Sequence, residues 1–361
     1  MKKVAIIGAG ALGIVSAIML KDDFHVTLIE KNNKIGKKIL ASGNGKCNFT
    51  NVSDIQNKYN NEFAESIVNK FTSKETLEFF SDLGLVYKID EENRCYPLSE
   101  SSVTVLDVLK KHLKGVRIYL ESKVNRIVSN DTDVEVFYND TIEAFDYVIC
   151  ASGSQASNLG SDWAYLYLKN YGVNISELHS SLSPILVKEN IKDLSGVRCK
   201  CKVNLYKDNE LIYKEKGEVL FKDDSLGGIV ILNMSSVINR YKGSYSIRLD
   251  LSDDAINYKD SLDLTGVVHP KIKDYMIKNN LKDIKNIKFE VIGTPSFENA
   301  QVISGGVELR EVNNNLSLKR DERIYVGGEL LDCDGMCGGY NLQFAFSCAK
   351  VISDSIKKTN Q

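Results

Sequence analysis

Apolar positions change period twice within the first thirty residues. Val4 to Ile7 is an unbroken apolar run, the pattern of a strand covered on both faces in a parallel sheet. Ile14 to Lys21 has the length and composition of a helix, and Phe24 to Glu30 reads as a second strand. Thr72-x-x-Glu75 has the form of a capping box, opening a helix whose apolar positions include Leu77, Phe80 and Leu83 before Gly84 stops it. Val124 to Tyr138 and Phe145 to Ala151 read as strands, the first group a small meander and the second a return to the parallel sheet. From Pro184 the texture changes. Val197 to Leu205 alternates strictly, the mark of a strand with one wet face. Further short strands are expected at Leu211, Glu218, Ile229 and Tyr245, with a small helical piece near Lys271 to Asn280.

The predicted architecture is α/β: a discontinuous Rossmann-type domain over 1–183 and 321–361, interrupted by a mostly antiparallel β domain at 184–320 with a small helical part. A chain of 361 residues is long enough for two to three domains. Its 46 basic and 48 acidic residues leave a formal charge of -2, so no net positive field recruits nucleic acid or anionic lipid. No nucleic-acid partner is expected, and any such partner would need a local patch. Only four prolines and 26% charged residues argue for a chain folded nearly throughout. Eight cysteines without a Cys-x-x-Cys pair read as reduced thiols in a cytoplasmic protein, Cys199 and Cys201 facing a core together. His25, His112, His179 and His269 are scattered without ligand spacing, so no metal site is expected. Met1 to Leu20 has the outline of a signal peptide, but it carries Gly8, Gly10 and Gly13 and lacks a small-residue cleavage site. No other run approaches a membrane span.

Between the first strand and the first helix stands Gly8-Ala9-Gly10-Ala11-Leu12-Gly13. In this setting the first glycine turns the chain, the second admits a pyrophosphate, and the third lets helix and strand pack closely. The helix N-terminus offers free N–H groups and about half a positive charge to the phosphates. Glu30 ends the second strand, where a carboxylate can accept both hydroxyls of an adenosine ribose. Half a charge does not offset a pyrophosphate, so a second donor set is expected. Gly36 to Asn51 supplies it, with Lys37, Lys38 and Lys46, the glycines 36, 43 and 45, and several hydroxyl or amide side chains.

At that stretch the sequence resembles a family of bacterial FAD-dependent oxidoreductases, the aminoacetone-oxidase-like or bile-acid-reductase-like flavoproteins. The likeness continues through Leu83-Gly84-Leu85, Arg94-Cys95-Tyr96-Pro97 and Val105 to Leu109, through Tyr147 to Gly153, and through Gln301 to Val307. It closes with Gly328 to Gly335 and Gly338-Gly339-Tyr340-Asn341-Leu342-Gln343-Phe344-Ala345-Phe346-Ser347. The resemblance implies FAD held by the Rossmann-type domain, with Gly8, Gly10, Gly13, Glu30, Ser42, Gly45, Lys46, Cys47, Asn48, Glu329, Asn341 and Leu342 touching it. The candidate set also takes in Lys31, Lys38, Gly43, Val124, Ala151, Ser152, Gly153, Gly338 and Gly339. The glycines 338 and 339 precede a helix-like run, so a second helix dipole is available to an anion.

Two departures stand out. Asn44 and Lys46 replace a glycine run and an arginine usual in the family, and lysine makes no planar bidentate contact. Phe221-Lys222-Asp223-Asp224-Ser225 replaces a histidine-bearing segment. The chain is also shorter than usual between Asp253 and Phe289, which predicts a reduced helical subdomain there.

The expected function is an FAD-dependent oxidoreductase reduced by NADH or NADPH and acting on a small or steroid-sized molecule. Two alternatives stay open: a flavin-dependent RNA-modifying or RNA-binding protein, and a non-catalytic FAD sensor. The catalytic group is unassigned. Cys47, beside Lys46, would react as a thiolate if cations lowered its pKa, and Tyr340 would donate a proton or merely stack.

Overall fold

The doubly apolar run lies in the middle of a six-stranded sheet in the computed structural model, with Val4, Ala5 and Ile6 wholly buried. The structure describes residues 1–158, 163–252 and 264–360. Strands at 321–326, 147–150, 3–7, 25–29 and 117–119 run parallel in that order, and 317–318 pairs antiparallel at the edge beside 321–326. The helices Ala11–Leu20 and Tyr340–Lys358 pack against each other. The first is apolar nearly all round and buried accordingly; the second buries Phe344, Ser347, Val351 and other residues along one stripe. An antiparallel meander, 124–129, 134–138 and 141–145, branches off before the chain returns at Tyr147–Cys150. The capping box forms with both of its hydrogen bonds, and the helix Ser73–Asp82 ends ahead of Gly84, whose φ is 89°.

The chain divides into two compact units, 1–178 with 305–361, and 179–304. The change of sequence texture falls at 184 and 321. The first unit already resumes at Gly305 because Val307 N–H donates to Leu330 O at 2.8 Å and Ser176 N–H to Gly306 O at 2.8 Å.

The second unit is built on a closed antiparallel barrel whose strands follow the order 185–187, 225–227, 210–221, 198–207, 245–250 and 287–293. Val203, Leu205, Val219, Ile247, Leu249 and Phe289 are wholly buried in its core. Two expectations are corrected here. Leu211 and Glu218 belong to one twelve-residue strand, Glu210–Phe221. Ile229 begins a helix, Ile229–Arg240, and not a strand: Val230, Ile231, Met234 and Ile238 recur at helical spacing and turn one face into the core. The helix Pro270–Lys278 stands where a helical piece is expected, its first turn capped by Lys271 N–H donating to His269 Nδ1 at 3.2 Å. Residues 253–263, part of the segment expected to be reduced, lie outside the described residues. No described helix is long and apolar enough to cross a membrane, and no three described His, Cys, Asp or Glu side chains cluster as metal ligands.

Candidate functional site

The opening turn is built around contacts that only glycine permits. Gly8 has φ 106°, and a Cβ there would stand 2.5 Å from Ser152 Cα; at Gly13 it would stand 2.0 Å from Gly8 O. Gly10 is different, since a Cβ there meets nothing nearer than 4.0 Å. Packing does not require that glycine, and a close ligand would. No side chain caps the helix Ala11–Leu20, so its first N–H groups stay available.

Glu30 is 7% exposed and its carboxylate folds back over this turn. Ala9 N–H donates to Oε2 at 2.8 Å, while Asn32 donates to Oε1 from its backbone N at 2.8 Å and from Nδ2 at 2.6 Å. Gly36 N–H donates to Ala9 O at 2.8 Å, which brings the second anion device against the first. Glu30, Lys37, Lys38 and Lys123 all act on the charge of Lys31. Burial holds the Lys31 ammonium below its ordinary pKa, Glu30 opposes that, and the other three lysines add to it.

The lysine-bearing loop is wound through left-handed conformations at Gly43, Asn44, Gly45 and Cys47, with φ of 56°, 53°, 83° and 58°. Asn44 and Cys47 are not glycine, so this backbone is strained where a nest would form. Lys38 Nζ reaches across to Ser154 Oγ at 3.1 Å and to Glu329 Oε2 at 2.6 Å, and Ser154 Oγ–H donates to Glu329 Oε1 at 2.6 Å. Tyr165 O–H donates to the main-chain oxygen of Glu329 at 3.0 Å. The short helix Lys37–Ala41, the strand end at Ala151–Gly153 and the C-terminal segment are joined at this point.

The head of Tyr340–Lys358 meets the same loop. A Cβ on Gly339 would stand 2.7 Å from Thr50 C and 2.8 Å from Asn48 Oδ1, and Asn51 Nδ2 donates to Gly338 O at 3.1 Å. Asn48 is 8% exposed and its Oδ1 has no hydrogen-bond partner. Beside it, the N-terminus of the helix carries no side-chain cap. A buried amide oxygen left alone at an uncapped helix is what a polar ring with donors and acceptors would satisfy. The glycine cradle and this orphaned oxygen together fit a dinucleotide carrying a flavin.

Several candidates lie elsewhere than expected. Lys46 turns outward, where its Nζ pairs with Glu100 at 2.8 Å; Glu100 also pairs with Lys88. Cys47 is wholly buried, and burial pushes its thiol up to about 11 against an opposing hydrogen bond from Ser42. The expected lowering by neighbouring cations is therefore overturned: the nearest lysine faces solvent and the sulfur does not. Asn341 commits its side chain to Gly335, donating to its O at 2.8 Å and accepting from its N at 2.9 Å. Tyr340 is buried, its phenol pKa raised by that burial, and its carbonyl accepts from Tyr59 O–H at 2.9 Å. Ser42 donates to Ile39 O at 2.7 Å, Val124 is buried, and Leu342 is half-buried.

Sequence reasoning missed Ser154 and Tyr165, which fix Glu329, and Thr50 and Gln343, which fix the loop. Thr50 Oγ1–H donates to Gln343 Oε1 at 2.5 Å, and Gln343 Nε2 donates to Phe71 O and to Thr76 Oγ1 at 2.8 and 2.9 Å. Ser154 directly follows the strand-end motif and was within reach of it; Tyr165 lies in a stretch without any motif.

Fold and site define a Rossmann-type FAD-dependent oxidoreductase. The chain belongs to the HI0933-like protein Rossmann domain family, which it matches over residues 2–355. It is 31% identical to the 3-dehydro-bile acid delta(4,6)-reductase of Clostridium scindens, over 96% of this chain and 97% of that one. It is 25% identical to a ribosomal RNA dihydrouridine synthase of Haemophilus influenzae, over 98% of each. In fold it is similar to the open conformation of a flavocytochrome c3 fumarate reductase, with TM-score 0.52 and 16% identity over 99% of this chain and 78% of that one.

Proposed function

We propose that this chain is a flavin-dependent reductase that saturates a carbon–carbon double bond conjugated to a carbonyl, using NADH or NADPH as electron donor. The single observation that carries the cofactor reading is the meeting of the glycine turn, the Lys38–Ser154–Glu329 junction and the Asn48–Gly339 contact in one unit. Support for the substrate class comes from two relatives whose names describe one kind of change. A 3-dehydro bile acid with double bonds at positions 4 and 6 and the uracil ring both present an alkene conjugated to a carbonyl group, and reduction saturates it.

When bound, FAD supplies two-electron transfer as hydride. The chain's own residues bind, orient and hold protons. Glu30, already accepting from Ala9, would hold the adenosine ribose; the first turn of Ala11–Leu20 would face the pyrophosphate. Lys38 and Glu329 would present charge and an acceptor to the linking chain. The uncapped head of Tyr340–Lys358 would offset negative charge gathering on a reduced ring. Tyr340, the first residue of that helix, carries a phenol that is protonated at neutral pH, and is the proton donor of this reading; burial raises its pKa and so weakens it as an acid.

The test is an absorbance spectrum of purified protein, followed anaerobically while NADH or NADPH is added and then a conjugated enone such as a 3-oxo-4-ene steroid. The expected result is a yellow protein that bleaches with one nicotinamide and recovers colour with the enone. Protein that is colourless and takes up no FAD overturns the cofactor. Bound flavin that no donor bleaches would make the chain a sensor.

A further inference from the structure

Two thiols of the barrel take no part in the proposed reaction. Alternation along Arg198–Lys207 turns Cys199 and Cys201 to one face, the face that carries Val203 and Leu205 into the barrel core. Both are free cysteines; Cys201 is 2% exposed and Cys199 is half-buried, so the pair runs from the core out toward solvent. Pairing register sets their neighbours, with Val219 opposite Cys199 and Gly217 opposite Cys201. Gly217 brings no side chain, and a Cβ there would stand 3.3 Å from Val230. What the adjoining strand and the helix Ile229–Arg240 present here is therefore apolar. The described register with 245–250 begins only at Lys202, which leaves both cysteines beyond its end.

The two sulfurs act on each other. Cys201 S–H donates to the sulfur of Cys199; that bond holds the Cys199 thiol below its ordinary pKa against burial, and the same bond, with burial, pushes the Cys201 thiol up. Glu218 acts on Cys199 and Asp250 on Cys201, but Glu218 is paired with Arg198, and Asp250 with Lys202 at 3.8 Å. The chemistry open to such a pair is narrow. A disulfide suits it poorly, because residues two apart on an antiparallel strand have Cα atoms about 6.8 Å apart, the outer limit for a bridge. Zinc takes four ligands, and among the described residues no third His, Cys, Asp or Glu joins the two thiols.

We propose that Cys199 and Cys201 form a two-sulfur site for a soft monovalent cation, copper(I). Soft thiolate donors select copper(I), and two suffice because that ion accepts a linear S–Cu–S arrangement. The apolar side chains around the pair offer a harder, more strongly hydrated cation no oxygen. Coordination forms two Cu–S bonds, breaks two S–H bonds and releases both protons to solvent, with copper staying in its +1 state. Half-buried Cys199 is the point of entry, and Cys201 closes the site from the core side. The site belongs to the second unit, goes beyond the proposed reaction and does not depend on flavin turnover.

The experiment titrates the FAD-supplemented full chain, anaerobically and with ascorbate present, into the coloured copper(I)–bicinchoninate chelate. The wild-type protein should withdraw copper(I) and bleach the chelate, and X-ray absorption at the copper edge should show two sulfur neighbours. Cys199→Ser and Cys201→Val should each withdraw about one copper ion fewer per chain than the wild type, with flavin content unchanged. Cys199 is the less buried of the two, so Cys199→Ser decides alone if Cys201→Val lowers the melting temperature. Cys337→Ser, which removes another half-buried thiol, should match the wild type. Wild-type protein that leaves the chelate coloured overturns the proposal, as does Cys199→Ser protein that withdraws as much copper as the wild type, or an equal loss in Cys337→Ser. So does zinc(II) that displaces copper(I) at equal concentration, since it would need ligands beyond the two thiols.

Discussion

Position 8 and position 45 carry the same residue for different reasons, and their variants should separate. Alanine at 8 places a Cβ 2.5 Å from backbone at a φ of 106°, so both strain and collision act. Gly8→Ala is expected to cost more than about 2 kcal/mol in urea unfolding and to abolish flavin retention. Alanine at 45 meets nothing within 4 Å, and only its φ of 83° opposes it. Gly45→Ala should cost about 1–2 kcal/mol, and a larger loss would mean that something else occupies that space. Cys47 makes a second residue-level case. With its thiol pushed up to about 11 by burial, it should stay unmodified by iodoacetamide at pH 8 until denaturant is added, as peptide mapping would show. Its neighbours in sequence suggested activation; its neighbours in space suppress it.

Among elements, the junction of Lys38, Ser154 and Glu329 is what holds a five-residue helix to the strand end and to the C-terminal segment. A double-mutant cycle on Lys38→Met and Glu329→Gln should give a coupling of about 1 kcal/mol, given side chains that keep 28% and 20% of their exposure. A coupling near zero would leave the helix held by the buried Ile39 and its backbone contacts. Elements announced by local chemistry were legible in the sequence: the strand–glycine–helix opening, the Thr72–Glu75 capping box, and the alternating strand at 198–207. Ile229–Arg240 was not, because a short apolar run fits a strand or a buried helix equally well until its partners are known. Tyr165 and Gln343 were illegible for another reason: their roles come from partners more than 150 residues away. The pairing of Lys216 against Lys202 belongs with them, since only register sets it.

For the whole molecule, net charge and unit boundaries behave differently from their local counterparts. A total of -2 stands beside a basic excess among the described barrel-strand residues, and the texture change at 184 follows the second unit's first residue, His179. Alkaline stability is a property of the same scale. Burial pushes the thiols of Cys47, Cys150 and Cys348 up to about 11, 12 and 12, while an unfolded thiol ionises near about 8.5. The stability they lend is complete below the unfolded value and falls as pH climbs toward the folded values, by up to about 1.4 kcal/mol per thiol per pH unit. Urea midpoints should hold from pH 7 to 8 and decline steadily above about 9, and Cys150→Ala should shallow that decline.

The central sheet takes strands from both ends of the chain, with Asp321–Val326 beside Tyr147–Cys150 and the helix Tyr340–Lys358 against Ala11–Leu20. As the polypeptide leaves the ribosome, the glycine turn emerges early and waits through the synthesis of an entire second unit for the residues that close over it. A polypeptide cut before Tyr340 therefore lacks the helix that packs on Ala11–Leu20, and is expected to be colourless after purification.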